Sequence, residues 1–368
     1  MSAPIKRKKL AGATTKQRPK RAGKKGPRDE VRRVYRAHMT GLAERMLGVE
    51  ATAFSFPGGS RRDSCRMSLA DGRSVIATVR EEPLRADLEE RVLFALAPHN
   101  APAPKVLASN RRVLVQEDVG AQRLSVALHE AGRDGDADGV MRLMRGALSS
   151  LHALQEAGHA AGLSERVPLL GVDDDWIEAL INRPAALGRL LGVIVPKADV
   201  SSLRDLLGVL DPRFVKWDAR PANAAVDGAG RVSWIDFEHC GARNPLDDVA
   251  WLVADEYMPF DPGRDLALLG EWGGRFGGSL PPTLLPHYFW VMAMLHGTHR
   301  LNLMVNSRLG RERWRDPEEC VARDSVGSAL GFAERQCDRL AHFARQSSLV
   351  SDFAPFFETC RYALTKLA

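Results

Sequence analysis

Lys216-Trp-Asp218-Ala-Arg220-Pro-Ala-Asn223, followed by Val232-Ser-Trp-Ile-Asp236-Phe-Glu238, is the stretch from which this chain is read outward. Asp218 and Asn223 stand five apart across a loop that holds a proline, and Asp236 follows 13 residues later at the end of an apolar, strand-like run. Singly, each is an ordinary turn or cap residue, because short polar side chains hydrogen-bond their own backbone in loops. Jointly they offer two carboxylates and an amide oxygen beside short β segments. So few hard oxygen donors suit magnesium, which keeps its other positions for water and nucleotide phosphates.

Upstream, the pattern is one of strands and tight turns. From Phe54 the chain runs through Phe56-Pro-Gly58-Gly59-Ser60, Asp71-Gly72 marks a hairpin turn, and Val75 to Val79 is a compact β-branched strand. Leu88, Val92, Leu93 and Leu96 follow at helical spacing and predict an amphipathic helix that ends before Pro102 and Pro104. Val113-Leu-Val115 is a further short strand. Beyond it the character turns helical: Met141, Met144, Leu148 and Leu151 share one helix face, and 175–210 and 284–368 read similarly. The only interruption is 213–238, with a turn at Asp227-Gly228 before the strand expected over Val232–Glu238. A small sheet-rich part joined to a larger helical part is the expectation.

Composition bounds the function. The chain has 368 residues and a net charge of +6, but residues 1–33 hold 13 basic and 2 acidic side chains, which leaves the remainder at about −5. The folded body is therefore no basic nucleic-acid surface, and 1–33, almost free of large apolar residues, is expected to be a disordered tail. A solubilising extension explains it, as does electrostatic contact with nucleic acid or anionic lipid. Five widely spaced cysteines without a Cys-x-x-Cys pair argue against a zinc site or a disulfide framework and for a reducing compartment. No run approaches the roughly 18 apolar residues of a membrane span, and no secretory leader is evident, so a cytoplasmic protein is expected.

The Asp218-x-x-x-x-Asn223 and Ile235-Asp236-Phe-Glu238 pair resembles the corresponding motifs of the aminoglycoside phosphotransferase and choline kinase superfamily. That resemblance runs over most of 45–260 and implies an α+β, bilobal, protein-kinase-like fold. Its small antiparallel nucleotide lobe would lie at 34–118 and its mainly helical lobe at 119–368. It implies Asp218 as the catalytic base, and Asn223 and Asp236 as magnesium ligands. Gly58, Gly59 and Ser60 would form the loop over the phosphates of ATP or GTP, where glycines let backbone N–H groups approach. Gln116, Glu117 and Val119 would form the hinge at the base edge. Asn244-Pro-Leu-Asp-Asp248 looks like the segment whose last Asp braces the catalytic loop.

Two positions depart from the family's pattern. Lys216-Trp217 stands where His-Gly is usual, so Lys216 either replaces the histidine as a brace or points toward phosphate. The third-strand cation that contacts the α- and β-phosphates is expected at Arg80, with Glu89 as its helix partner; the other register places Thr78 there. His296, His299 and Arg300 lie about one turn apart on a helix, and Asp255, Glu256 and Tyr257 follow the bracing segment; each set lines a substrate pocket or simply packs. The resulting expectation is Mg²⁺-dependent transfer of phosphate from ATP or GTP to a hydroxyl of a small molecule. The alternative is a catalytically inactive, kinase-like binding protein. A protein kinase is disfavoured because only His239 to Arg243 separate Glu238 from Asn244-Pro245, which leaves little room for a peptide platform.

Overall fold

A computed structural model describes residues 37, 40–57, 64–110, 112–120, 122–323 and 325–367. The basic segment 1–33 and the candidate phosphate loop Gly58, Gly59 and Ser60 lie outside the described residues.

Helix α1 (residues 40–47) leads into β1 (Ala51–Ser55), β2 (Ser64–Leu69) and β3 (Ser74–Val79). The β2–β3 hairpin turns at Asp71-Gly72 as expected, with Gly72 at φ +85°, a conformation glycine adopts without steric cost. After helix α2 (Pro83–Leu96) come β4 (Val106–Asn110) and β5 (Val113–Glu117), and the five strands form one antiparallel sheet in the order β1-β2-β3-β5-β4. Cys65, Met67, Val75, Ala77, Val79, Val113 and Val115 bury one face of it in a small core with Ala43 of α1. Helix α2 buries Leu88, Val92, Leu93 and Leu96, the four residues that predicted it, but against the larger helical core. Strand β4 has no alternating apolar signal, since its residues are only half-buried, and it pairs with β5 across an irregularity between Val106 and Ala108.

The chain leaves β5 through residues 118–120 into β6 (Gln122–Arg123), α3 (Leu124–Arg133) and α4 (Ala137–Ala160). Asp136 caps α4 by accepting from the Gly139 N–H at 2.8 Å, which satisfies a donor the helix itself cannot. Helices α5 (Asp174–Ile181), α6 (Arg183–Leu191) and α7 (Val200–Leu207) precede the strands that carry the central motif. These are β7 (Arg213–Val215), β8 (Ala224–Val226), β9 (Val232–Trp234) and β10 (Gly241–Arg243). The rest is helical: α8 (Leu246–Val253), α9 (Pro262–Phe276), α10 (Leu285–Leu309), α11 (Pro317–Ala322), α12 (Leu330–Arg345) and α13 (Phe353–Thr365). Helix α10 is buried along most of its length and packs on α6, α8 and α12, so it forms the axis of the helical part.

Strand β8 lies between β6 and β9, and β7 pairs with β10. Gly158 of α4 lets β7 lie close, because a Cβ there would stand 2.3 Å from Cδ1 of Phe214. The strand expected over Val232–Glu238 stops at Trp234. Asp236 takes a left-handed φ of +65°, which a strand cannot continue through.

Candidate active site

Strand β7 delivers the chain to Lys216, and the loop beyond is held from below by Asp248 in the first turn of α8. The Asp248 carboxylate accepts from the backbone N–H groups of Lys216 and Trp217 and from Nε2 of Gln155, each at 2.8 Å. Burial raises the pKa of Asp248 to about 6 even against these donors. Lys216 is also buried, and its Nζ donates to the main-chain oxygen of Asp236 at 2.9 Å. Of the two readings of Lys216, the geometry gives the brace.

The loop brings the three central residues together. Nδ2 of Asn223 donates to Oδ2 of Asp218 at 2.8 Å and to the Asp218 main-chain oxygen at 3.0 Å. The main-chain oxygen of Asn223 in turn accepts from the N–H of Ile235 at 2.9 Å, next to Asp236. Trp217, Asp218 and Asp236 are three of the four described non-glycine residues with positive φ, at +50°, +47° and +65°. Such conformations cost of order 1–3 kcal/mol each and persist where the surroundings enforce them, here through Asp248 and Lys216. Oδ1 of Asn223 and Oδ2 of Asp236 make no hydrogen bond among the described residues, so each keeps a hard oxygen for a cation. This donor set fits Mg²⁺ bound largely by phosphate and water. No group of three or more His, Cys, Asp or Glu among the described residues is arranged to hold a metal.

Arg80, one residue past β3, links the sheet to this loop. Its Nε meets Oε2 of Glu89 at 2.7 Å, its Nη2 meets Oδ1 of Asp236 at 2.7 Å, and Nη1 lies 3.6 Å from Oε1 of Glu238. Glu89, fully buried on α2, also accepts from the N–H of Phe237 at 3.1 Å through its other oxygen. Burial alone would raise the pKa of Asp236, but Arg80, Lys216 and His239 outweigh it and hold the carboxyl below its ordinary value. Burial raises that of Glu238. The expected choice of register between Arg80 and Thr78 needs correction. The two are separated by one residue, so they share a strand face, and both line the same cleft. Thr78 instead hydrogen-bonds Ser64 at 3.0 Å.

That cleft is a cavity of about 510 Å³ between the sheet and the motif loop. Ile76, Val79 and Val119 line it on the sheet and hinge side and Ile235 and Ala225 on the other; Arg80, Gln116, Glu117, Asn223 and Asp236 supply its polar rim. Of the expected nucleotide residues, Glu89 stands behind the wall and acts through Arg80, and Gly58, Gly59 and Ser60 fall outside the described residues. The N–H of Val119 makes no hydrogen bond among the described residues, and Oε1 of Gln116 is buried without a partner. Asp118 pins this hinge: Arg66 and Ser74 donate to its two oxygens at 2.9 and 2.6 Å. No local sequence pattern signals that role, because both partners lie more than 40 residues away.

On the other side of Asp218, Trp217 packs against Trp176, Trp251 and His296 at centroid distances of 5.7, 5.8 and 5.3 Å. Behind this wall runs a buried ionic network. Arg220 pairs with Asp255 at 2.7 Å, and Arg300 binds Glu256 through two contacts of 2.8 and 2.6 Å. Asp255, Glu256 and Arg300 thus take the packed reading.

The chain belongs to the phosphotransferase enzyme family, whose sequence model matches residues 55–286. By class it is a phosphotransferase. No curated protein matches it in sequence. Among solved structures it is similar to an aminoglycoside 2'-phosphotransferase in its GDP complex, at 14% identity and a TM-score of 0.51, covering 85% of this chain and 99% of that one. It is also similar to an aminoglycoside phosphotransferase in a ternary complex with ADP and hygromycin B, at 15% identity and a TM-score of 0.50, covering 84% and 98%. The choline kinase of Streptococcus pneumoniae aligns at 14% identity and a TM-score of 0.47, covering 85% and 99%. The fold is the bilobal protein-kinase-like one expected. No helix among the described residues is long and apolar enough to cross a membrane.

Proposed function

We propose that this protein transfers the γ-phosphoryl group of ATP or GTP, as its magnesium complex, to a hydroxyl of a small molecule. Residues 34–118 serve as the nucleotide lobe and 119–368 as the lobe that holds metal and acceptor. The observation that carries this reading is the convergence of Asp218, Asn223 and Asp236 on one loop system, with Arg80 joining Asp236 to the sheet.

The base lies in the apolar slot between Ile76 and Ile235, with the hinge backbone at Glu117 and Val119 as its polar edge. Arg80 faces the α- and β-phosphates. Asn223 and Asp236 hold Mg²⁺, which neutralises phosphate charge and orients the γ-group when bound. Asp218 accepts the hydroxyl proton as the acceptor oxygen bonds to the γ-phosphorus. The bond from that phosphorus to the β–γ bridging oxygen breaks, and the nucleoside diphosphate leaves. Asn223 fixes the Asp218 carboxylate through its amide N–H, which leaves Oδ1 of Asp218 for the substrate. The related aminoglycoside kinases make sugars and amino alcohols sensible first acceptors.

Asp218→Asn keeps the shape and removes the base, so transfer of labelled γ-phosphate should fall about 10²- to 10⁴-fold while nucleotide binding persists. Undiminished transfer in that variant would remove Asp218 from the mechanism. A non-catalytic binding role has less support, since nothing in such a role calls for strained backbone at both Asp218 and Asp236.

A further inference from the structure

Arg183, the first residue of α6, is a half-buried cation with no carboxylate partner among the described residues. Its Nη1 approaches only the main-chain oxygen of Leu295 at 3.5 Å and Nδ1 of His296 at 3.4 Å. Its own main-chain oxygen accepts from Nδ2 of Asn302 at 3.0 Å, which fixes it at the junction of α6 and α10. Burial lowers its pKa to about 10, so the guanidinium is charged at neutral pH. Burial and the neighbouring arginines hold His299 down to about 4 and His296 well below its ordinary value, so both rings are neutral there. The other three arginines nearby are neutralised, Arg220 by Asp255, Arg300 by Glu256 and Arg243 by Asp247. Arg183 is therefore the uncompensated charge of this region.

Its position gives that charge a use. His296, which Arg183 touches, stacks on Trp251 at 4.2 Å and meets Trp217 at 5.3 Å, and Trp217 adjoins Asp218. A single imidazole thus separates the guanidinium from the aromatic wall beside the base. A half-buried cation without a counter-charge is free to take one from a ligand, and the guanidinium fork matches the two oxygens of a carboxylate or phosphate.

We infer that the acceptor carries an oxyanion, which Arg183 binds while the acceptor hydroxyl meets Asp218 and the intervening frame lies against Trp217 and Trp251. This rests on the phosphotransferase reading, since it takes Asp218 as the point where the acceptor reacts. The same charge disfavours a polycationic acceptor by like-charge repulsion.

The test uses the full chain with saturating magnesium and a non-hydrolysable ATP analogue, titrated with matched probes: a hexonate, a hexose phosphate, the neutral hexose, the amino hexose and kanamycin. An anionic probe is expected to bind at least tenfold more tightly than the neutral hexose, with carboxylate and phosphate compared to tell which oxyanion is preferred. Arg183→Met should erase that preference and leave nucleotide affinity within about twofold. Arg183→Lys keeps the charge without the fork and should retain a weakened preference, and it serves if the methionine variant does not fold. Anionic probes binding no better than neutral or cationic ones, or a preference that survives Arg183→Met, overturns the inference. A nucleotide titration of the same protein separates the two failures: binding of nucleotide without anion preference sinks only the acceptor class. Anion preference without nucleotide binding sinks the phosphotransferase reading instead.

Discussion

Nζ of Lys216 donates to the main-chain oxygen of Asp236 at 2.9 Å, so the residue that departs most from the family's pattern ties the loop of the base to the loop of the metal ligand. Replacing Lys216 by Met leaves a buried carbonyl without its donor. The expected cost is about 1–3 kcal/mol of folding stability, with weaker magnesium binding as Asp236 loses its anchor. Denaturant unfolding and a magnesium titration in the presence of nucleotide measure both, and an unchanged pair would show that Lys216 braces nothing.

Arg80 serves Glu89 and Asp236 at once because a guanidinium presents separate N–H groups in a fixed plane. Lysine offers a single ammonium and cannot hold both carboxylates in that geometry. Arg80→Lys is expected to weaken nucleotide binding about tenfold and Arg80→Met about 100-fold, roughly 1.4 and 2.7 kcal/mol. Calorimetric titration reads the difference, and equal affinities for all three proteins would contradict the role given to Arg80.

Asp248 supplies a pH signature. Its pKa is about 6 in the fold against 3.8 ordinarily, raised by burial, so its contribution to stability is complete below 3.8 and is lost as pH rises through 6. The loss is of order 3 kcal/mol, two pKa units at 1.36 kcal/mol each. Asp248→Asn cannot titrate. The stability of the wild type relative to that variant should therefore decline between pH 4 and pH 7, measured by urea unfolding at each pH. A difference constant across that range would show that Asp248 does not titrate there.

Gly158 is expected to tolerate no side chain. The Cβ of an alanine there would stand 2.3 Å from the Phe214 ring, so helix α4 or strand β7 has to shift. Gly158→Ala should cost about 1–3 kcal/mol through overpacking, outweighing its gain in helix propensity. Thermal unfolding decides the sign, and a higher melting temperature would mean that β7 can shift.

What was legible in the sequence was whatever periodicity or short-range spacing reports. The β2–β3 hairpin followed from Asp71-Gly72, α2 from Leu88, Val92, Leu93 and Leu96, and the cluster of Asp218, Asn223 and Asp236 from spacing within one motif. Strand β4 was not legible, because edge pairing with β5 places no alternating demand on Val106 to Asn110. The end of β9 was missed because Ile235 and Phe237 continue an apolar pattern through a residue whose backbone turns left-handed. Arg183 and the wall of Trp176, Trp217 and Trp251 could not be read from spacing, since they come from α5, α6, α8 and the motif loop and meet only in the fold.

The most direct measurement of the central claim is the thermal shift produced by ATP or GTP, with and without magnesium, in the wild type and in Asp236→Asn. Nucleotide at about 100 times its dissociation constant stabilises a fold by roughly 2.7 kcal/mol. The account predicts a magnesium-dependent rise in melting temperature for the wild type, with the magnesium-dependent part absent in Asp236→Asn. Failure of saturating magnesium-nucleotide to stabilise the wild type, or the same magnesium dependence in both proteins, would contradict it.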